Sequence, residues 1–377
     1  MSKRFYILGS VMCVVLCISA VLLYFYKSIP PTEADLYTNT VLSPKEVKKT
    51  ILREFATSSE NTSTEISVSS STLSLLAFGD IMLDRSVMLK TQAAGDYNHP
   101  FLLIDPLFKE YNLHIANLEG PITNFKSIAN GTGGQRFTFT FSPKFVEPLK
   151  NRFEFLSLAN NHAYNFGQKG MEQTRKFLGD AGVKYFGGPD NTTGFISVTT
   201  TYNGIRLGFI GYHQLVEKGF ENIIAEAKRL DSEVDVLIAL PHWGIEYEQV
   251  NPSYLQKKEG HEMVDAGVDI ILGAHPHVVQ PIEIYKDKMI FYSLGNFIFD
   301  QYFSEETQTG LAVGMTLHKE NGMVKVEYKL IPLDINGQSQ PSVASTQKTE
   351  KVLQNLSRNS QVSENIKEEI KQGFIKK

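Results

Sequence analysis

The residues best suited to chemistry are two histidines two positions apart, His275 and His277, which follow the apolar stretch 268–272. The stretch predicts a buried strand, and open α/β sheets bind their ligands at the carboxyl ends of such strands. Residues i and i+2 of a strand share a face, so both imidazoles would reach neighbouring metal ions. Taken alone, the motif is nearly as typical of two hydrogen-bonded loop histidines.

Four apolar stretches earlier in the chain also end in polar side chains: Asp80, then Asn117 and Glu119, then Asn160, Asn161 and His162, and finally His242. Strands that alternate with helices predict a central sheet covered on both faces, which brings these ends to one edge. The candidate metal ligands are Asp80, Glu119, Asn161, His242, His275 and His277. Such a donor set suits two divalent ions about 4 Å apart, which would activate water against phosphorus or a carbonyl carbon. His162 is the candidate catalytic residue, as the acid that protonates the leaving group.

Four further residues near this edge are candidates for substrate binding: Arg85, Asn117, Trp243 and Asn296. Arg85 would bind an anionic group of the substrate, or else pair with the adjacent Asp84. Trp243 would form a wall of the pocket, or else belong to the core. His213 follows another apolar stretch and could also line the pocket.

The composition excludes one class of partner and limits the choice of metal. The chain has 377 residues, 42% of them hydrophobic and 21% charged, and its net charge is −4. These values are typical of a globular protein, and no cluster of basic and aromatic residues predicts nucleic-acid binding. Both cysteines, Cys13 and Cys17, lie near the amino terminus, so the ligands must be oxygen and imidazole. That donor chemistry favours one or two ions of Mn, Fe, Zn or Mg.

The amino terminus predicts a membrane anchor. Lys3 and Arg4 precede an uncharged stretch from Phe5 to Tyr26, which as a helix would span about 30 Å of hydrocarbon. The positive flank predicts a cytoplasmic amino terminus, so the main domain would be extracellular. A cleavable signal peptide is the alternative, although we find no good cleavage site. We therefore expect a single-pass protein of the cell membrane.

The predicted anchor and the short stretch before it occupy residues 1–27. The composition divides the rest of the chain into three parts. Residues 28–72 are polar, with a run of serine and threonine, and predict an extracytoplasmic stalk. Residues 73–335 carry the alternating strands and helices of the folded domain. Residues 336–377 are polar and charged, and they predict a tail outside that domain.

Six short motifs cover the same strand ends: Gly79-Asp-Ile-Met-Leu-Asp-Arg85, Asn117-Leu-Glu-Gly120, Ala159-Asn-Asn-His-Ala163, His242-Trp-Gly-Ile-Glu246, Gly273-Ala-His-Pro-His277 and Phe291-Tyr-Ser-Leu-Gly-Asn-Phe297. Together, in this order, they resemble the CapA family of bacterial capsule-synthesis proteins, which is associated with poly-γ-glutamate. The resemblance covers about residues 73–332, and the family is similar to calcineurin-like metallophosphoesterases. It implies an α/β fold with four layers, an α/β/β/α sandwich built on two sheets.

Two positions depart from the metallophosphoesterase pattern. Met82 stands where a histidine ligand is usual, and Glu119 stands where an aspartate usually bridges two metals. Methionine is a poor ligand for hard divalent ions. The resemblance therefore implies a weak metal position with Asp80, His277 and the shared Glu119. It also implies a tighter position, whose ligands would be Glu119, Asn161, His242 and His275.

The resemblance implies a membrane-anchored protein of poly-γ-glutamate synthesis, export or attachment at the bacterial surface. Its pocket would bind metal and carry out hydrolysis or transfer. Its partners would be the bacterial membrane, the anionic polymer and other capsule-synthesis membrane proteins. Two alternatives stay open: a non-catalytic subunit that binds the polymer or assembles partners, and an extracellular metallophosphoesterase.

Overall fold

The computed structural model describes residues 70–129, 136–192 and 194–376. The predicted anchor and almost all of the predicted stalk lie outside these residues. In the part of the chain that is described, no helix is long and apolar enough to cross a membrane. The described chain forms two β-sheets with helices against them, so the predicted α/β class is confirmed.

The first sheet has nine strands within the described residues. They are β1 (Ser71–Ile81), β2 (Leu113–Leu118), β3 (Phe155–Ser157), β4 (Lys184–Phe186), β11 (Asn296–Ile298), β12 (Thr309–Glu320), β13 (Met323–Ile335), β14 (Pro341–Val343) and β15 (Phe374–Lys376). The order is β14-β13-β12-β1-β2-β3-β4, while β11 pairs with β1 and β15 with β13. Strands β1 to β4 and β11 are parallel, so their carboxyl ends lie at one edge.

The second sheet has six strands in the same described part of the chain. They are β5 (Ser197–Tyr202), β6 (Ile205–His213), β7 (Val236–His242), β8 (Ile270–Leu272), β9 (Ile282–Tyr285) and β10 (Lys288–Phe291). The order is β5-β6-β7-β8-β10-β9, and the four central strands are parallel. Both sheets therefore have a carboxyl edge that can carry a site.

The helices are α1 (Arg85–Ala94), α2 (Asp105–Phe108), α3 (Val146–Lys150), α4 (Gly167–Ala181), α5 (Phe220–Asp231), α6 (Tyr254–Asp265), α7 (Thr346–Asn359) and α8 (Glu364–Gln372). Local signals in the sequence start several of them. Asp84 caps α1 by accepting a hydrogen bond from a backbone N–H group. A capping box of Ser253 and Gln256 starts α6. These caps fix where the loops at the carboxyl edge end.

Three apolar clusters hold the layers together. One lies between the sheets and includes Leu75 of β1 and Phe209 of β6. A second joins the first sheet to α4 through Phe78 and Leu178. The third joins the second sheet to α5 and α6, with Met263 at its centre. The two sheets therefore face each other, with α4 outside the first sheet and α5 and α6 outside the second.

Residues 341–376, which we expected in a polar tail, belong to the folded domain. They add β14 and β15 to the first sheet, and Ile375 pairs with Tyr328 of β13. Leu353, Ile370 and Ile375 are buried in the cluster between the sheets. The segment looked polar because α7 and α8 are amphipathic and expose most of their surface.

We expect Ile375→Ala to lower the free energy of unfolding by about 2–4 kcal/mol, because it empties a fully buried position. Urea denaturation of the full-length chain measures the change. Met323→Ala is the matched control, since Met323 lies on the neighbouring strand β13 with 70% of its surface exposed. The control should change stability by no more than about 0.5 kcal/mol. An unchanged midpoint for Ile375→Ala would contradict the packing of β15.

Candidate metal centre

Strand pairing brings the predicted site residues together at the carboxyl edge. Asp80 of β1 pairs with Asn117 of β2 and with Asn296 of β11. A glycine before Asp80 permits this approach, because a Cβ on Gly79 would lie 1.8 Å from the backbone oxygen of Gly295. The end of β1 is thereby held between two neighbouring strand ends.

Two buried carboxylates lie in the middle of the cluster. Oε1 of Glu119 lies 3.7 Å from Nε2 of His162 and 3.8 Å from Nε2 of His277. Oδ2 of Asp80 lies 3.5 Å from Nδ1 of His277, and Oδ1 lies 4.0 Å from Nδ1 of His242. Both carboxylates are fully buried. Each is therefore within reach of an ion that an imidazole also contacts.

The remaining predicted ligands complete the cluster. Nε2 of His242 lies 3.0 Å from Oδ1 of Asn161. The rings of His242 and His275 are 4.7 Å apart, and the backbone N–H of His275 donates to Oδ2 of Asp80 over 3.1 Å. The structure thus brings together all six predicted ligands: Asp80, Glu119, Asn161, His242, His275 and His277.

The donors divide into two groups, and in each group the ligand atoms lie within 4.8 Å of one another. One group is Asp80, Glu119 and His242, and the other is Glu246, His275 and His277. This division differs from the predicted one, which placed Asp80 with His277. Glu246 was not predicted as a ligand, although it ends the motif that begins at His242. It is exposed, whereas the other five carboxylate and imidazole donors are buried.

The chemistry of Glu119 shows that the site fits a divalent metal. Neither carboxylate oxygen has a hydrogen-bond partner among the described residues. Burial raises the pKa of Glu119 well above its usual value, and the neighbouring Asp80 adds to the rise. A buried carboxylate without a cation or a hydrogen bond is costly. A divalent ion in contact with Glu119 would remove that cost.

The imidazoles are held in the neutral form that binds metals. Burial lowers the pKa of His275 to about 3 and that of His242 well below its usual value. Nδ1 of His275 is buried and lacks a partner within the described chain. Metal ligation requires a neutral ring with a free lone pair, and Nδ1 of His275 offers one.

His162, the predicted acid, is neutral and presents an acceptor to the cluster. Burial lowers the pKa of His162 to about 4. The N–H of Phe139 donates to Oδ1 of Asn165 over 2.7 Å, and Nδ1 of His162 lies 3.1 Å from the same oxygen. Nδ1 must therefore carry the ring proton. Nε2 faces Glu119 and is then a proton acceptor. It can donate a proton only after the ring has been protonated.

The two histidines of the opening motif lie in a turn beyond β8, and the argument from a shared strand face is wrong. His275 has φ 94° and His277 has φ 59°, in the left-handed region that favours glycine. Side chains with these φ values are strained and occur mostly at functional sites. The turn, together with the approach of Asp80, aims both rings at the cluster.

The four residues predicted to bind substrate are all buried. Asn117 instead orients two ligands, because its Nδ2 lies 2.7 Å from Oδ1 of Asp80 and 3.2 Å from Nδ1 of His242. Oδ1 of Asn296 lies 3.0 Å from Nδ1 of His277. Both amides therefore hold candidate ligands in place. Asn296 does so by accepting from a ring N–H, as partners of metal-binding histidines commonly do.

Arg85, Trp243 and Met82 have structural roles. Arg85 forms an ion pair with Asp300 rather than with Asp84. Trp243 lies in the cluster under α6 and donates to the backbone oxygen of Tyr292 over 2.8 Å, so it belongs to the core. Met82 is buried in the cluster beside the first sheet.

His213 lies at the border of the site. Its ring is 6.1 Å from that of His242, its pairing partner on β7. Nδ1 lies 2.8 Å from the backbone oxygen of Pro189, so it carries the ring proton. The ring therefore adjoins the cluster without contributing to either group of donors.

The chain is thus an α/β protein with two facing sheets. Two groups of candidate metal ligands lie at one edge of these sheets. Residues 74–301 match the model of the bacterial capsule synthesis protein family PGA_cap, and the chain belongs to this family. The CapA resemblance is thereby confirmed.

Two curated relatives are similar over most of their length. The PGA biosynthesis protein CapA of Bacillus subtilis is 32% identical over 288 residues, which cover 70% of this chain and 72% of the relative. The capsule biosynthesis protein CapA of Bacillus anthracis is 28% identical over 309 residues, with 76% and 74% covered.

Solved structures are more distant. A phosphatase from Mycoplasma pneumoniae aligns with a TM-score of 0.44 at 14% identity, over 71% of this chain and 95% of that one. A calcineurin-like phosphoesterase from Bacillus subtilis aligns with a TM-score of 0.42 at 16% identity, over 80% and 99%.

Proposed function

We propose that this protein takes part in the synthesis, export or surface attachment of poly-γ-glutamate, and that its reaction is metal-dependent hydrolysis or transfer at a γ-glutamyl bond. Family membership supports the process, because the two relatives are named for PGA biosynthesis and for capsule biosynthesis. The donor cluster supports the reaction class. The polymer would be the substrate, and other capsule-synthesis membrane proteins would be the partners.

The observation that carries the proposal is the buried carboxylate of Glu119, which lies among imidazoles and has no hydrogen-bond partner within the described ranges. Asp80, Glu119 and His242 would hold one ion, and Glu246, His275 and His277 a second. When bound, such ions polarise a carbonyl oxygen and activate water. Asn117 and Asn296 keep the ligands oriented, and Nε2 of His162 accepts a proton next to Glu119.

The proposed location is the outer face of the cell membrane. The uncharged stretch Phe5–Tyr26, with Lys3 and Arg4 before it, supports a retained anchor with its amino terminus in the cytoplasm. The folded domain would then be extracellular, where the polymer is exported and attached. Protease accessibility of the domain on intact cells tests this placement.

Metal analysis of the full-length chain, purified without chelator, tests the metal site. We expect one or two equivalents of a divalent metal, and we expect His242→Ala/His275→Ala to lose them because both substitutions remove buried ligands. His318→Ala is the control, since this histidine is exposed on β12. Absence of metal under every loading condition would contradict the metal site and favour a non-catalytic polymer-binding subunit.

Substrate turnover by the metal-loaded chain then distinguishes the reactions. Cleavage or transfer of a γ-glutamyl oligomer, lost in the double variant, is the expected result. Turnover of a simple phosphodiester instead would favour an extracellular metallophosphoesterase. Metal binding without turnover of either compound would favour an assembly subunit.

A further inference from the structure

Exposed side chains beside the candidate metal centre can contact a substrate, whereas the four residues predicted to bind substrate are buried. Tyr247 is 44% exposed, and its ring lies 6.1 Å from that of His277. Phe303, 66% exposed, packs edge-on against it at 5.2 Å. These two rings form an exposed aromatic pair directly beside the metal centre.

The backbone of Tyr247 is held in an unfavourable conformation. Its φ is 66°, which is rare for a bulky side chain. Its N–H donates over 2.8 Å to the backbone oxygen of Pro276, between the two histidines of the metal-binding turn. Strain of this kind persists only where the surroundings enforce it, and it occurs mainly at binding and active sites.

Hydrogen bonds fix the orientation of the Tyr247 hydroxyl relative to the metal centre. Nδ2 of Asn296 lies 2.9 Å from the backbone oxygen of Thr307, which can only accept, so the amide orientation is settled. The same Nδ2 donates to Oε1 of Gln301 over 3.0 Å. Nε2 of Gln301 then donates to Oη of Tyr247 over 3.2 Å. Oη is thus the acceptor, and the hydroxyl proton is left for another acceptor.

We propose that Tyr247 is a substrate-binding residue of the metal pocket, and that its hydroxyl donates a hydrogen bond to a carboxylate or carbonyl oxygen of a bound γ-glutamyl chain. The inference rests on the proposed function, since it names a contact for that substrate. The donor chemistry matches the polymer, which presents a carboxylate and a carbonyl oxygen in every repeat. Phe303 packs edge-on against the ring of Tyr247 and restricts its movement.

The side chain of the adjacent Glu246 is another group with which the Tyr247 hydroxyl can form a hydrogen bond. Glu246 would compete with the substrate for the hydrogen bond from the Tyr247 hydroxyl. Because Glu246 is a candidate metal ligand, Tyr247 has a second conceivable role, which is to orient Glu246. The experiment must separate these two roles.

Tyr247→Phe in the full-length, metal-loaded chain removes only the hydroxyl. The probe is a short γ-glutamyl oligomer, whose dissociation constant is measured by calorimetry, with metal content and metal affinity measured on the same preparations. We expect about tenfold weaker oligomer binding, because a hydrogen bond to a charged acceptor is lost, and unchanged metal affinity. Gln301→Ala should weaken oligomer binding in the same direction, since it releases Oη. Tyr254→Phe is the control, because Tyr254 is 78% exposed at the start of α6.

Three results from the variants would overturn the inference. The first is wild-type oligomer affinity in Tyr247→Phe, and the second is an equal loss in Tyr254→Phe. The third is a loss of metal affinity without a loss of oligomer affinity, which would assign Tyr247 to orienting Glu246. A wild-type chain that binds metal but no oligomer would also refute the contact, whereas a chain that binds no metal would refute the proposed function itself. Thermal unfolding of each variant confirms that it is folded.

Discussion

Glu119→Gln should abolish high-affinity metal binding and, at the same time, make the metal-free chain more stable. The carboxylate is fully buried, and neither oxygen has a hydrogen-bond partner in the described part of the chain. Burial raises the pKa of Glu119, so at neutral pH the metal-free fold must either bury this charge or bind a proton that the unfolded chain does not bind. A neutral amide of similar size avoids this cost of about 1–3 kcal/mol. The same substitution removes a carboxylate whose Oε1 lies 3.7 Å from His162 and 3.8 Å from His277.

The order of stability should reverse when metal is added. A ligand at one thousand times its dissociation constant stabilises the folded state by about 4.1 kcal/mol, which exceeds the stability that the variant gains without metal. The wild-type chain gains this stabilisation and the variant does not. Thermal unfolding with chelator and with excess Mn or Zn measures both states. Glu172→Gln is the matched control, because it makes the same change on the exposed face of α4. It should follow the wild type in both conditions.

Two results would contradict this account of Glu119. If Glu119→Gln lowers the unfolding temperature in chelator, the carboxylate has a stabilising partner in the metal-free chain. If the variant retains the wild-type shift with metal, Glu119 is not a ligand. Either result would remove the observation on which the proposed reaction depends.

The strand ends were predictable from sequence, and the loops beyond them were not. Asp80, Asn117 and His242 directly follow or end apolar stretches, and parallel pairing brings such positions to one edge by a general rule of α/β sheets. Glu246 and Tyr247 lie in an irregular segment after β7, where periodicity gives no position. Their proximity to His277 depends on a turn with left-handed φ values. No local sequence pattern predicts these values.

Distant pairing explains the other differences. Arg85 was expected to bind the substrate or pair with its neighbour, but its partner Asp300 lies 215 positions away. Asn296 looked like a pocket residue because it ends a strand-like segment, yet both ends of its amide are used inside the fold. Residues 341–376 looked like a tail because they are polar on average, although one face of each helix is apolar. In each case the sequence shows the side chain but not the partner that determines its role.

Gly79→Ala should unfold or strongly destabilise the protein and separate the candidate metal ligands. An added Cβ would lie 1.8 Å from the oxygen and 2.9 Å from the carbon of Gly295, which are backbone atoms that cannot rotate away. The backbone N–H of Asp80 also donates to that oxygen over 3.2 Å, and Asp80 pairs with Asn296. The methyl group would therefore separate β1 from β11 next to the position where Asp80 approaches His277. We expect a loss of about 3 kcal/mol or more, from overpacking and from the broken hydrogen bond.

Urea denaturation of the full-length chain, with metal content measured on the soluble fraction, tests this expectation. Gly179→Ala is the matched control, because a Cβ there would meet no described atom within 4 Å. Since Gly179 lies inside α4, alanine should stabilise the chain by about 0.5–1 kcal/mol through helix propensity. A Gly79→Ala variant with the wild-type midpoint and full metal content would show that β1 and the turn at Gly295 can separate without harm. The close approach of these two segments would then not be what positions Asp80.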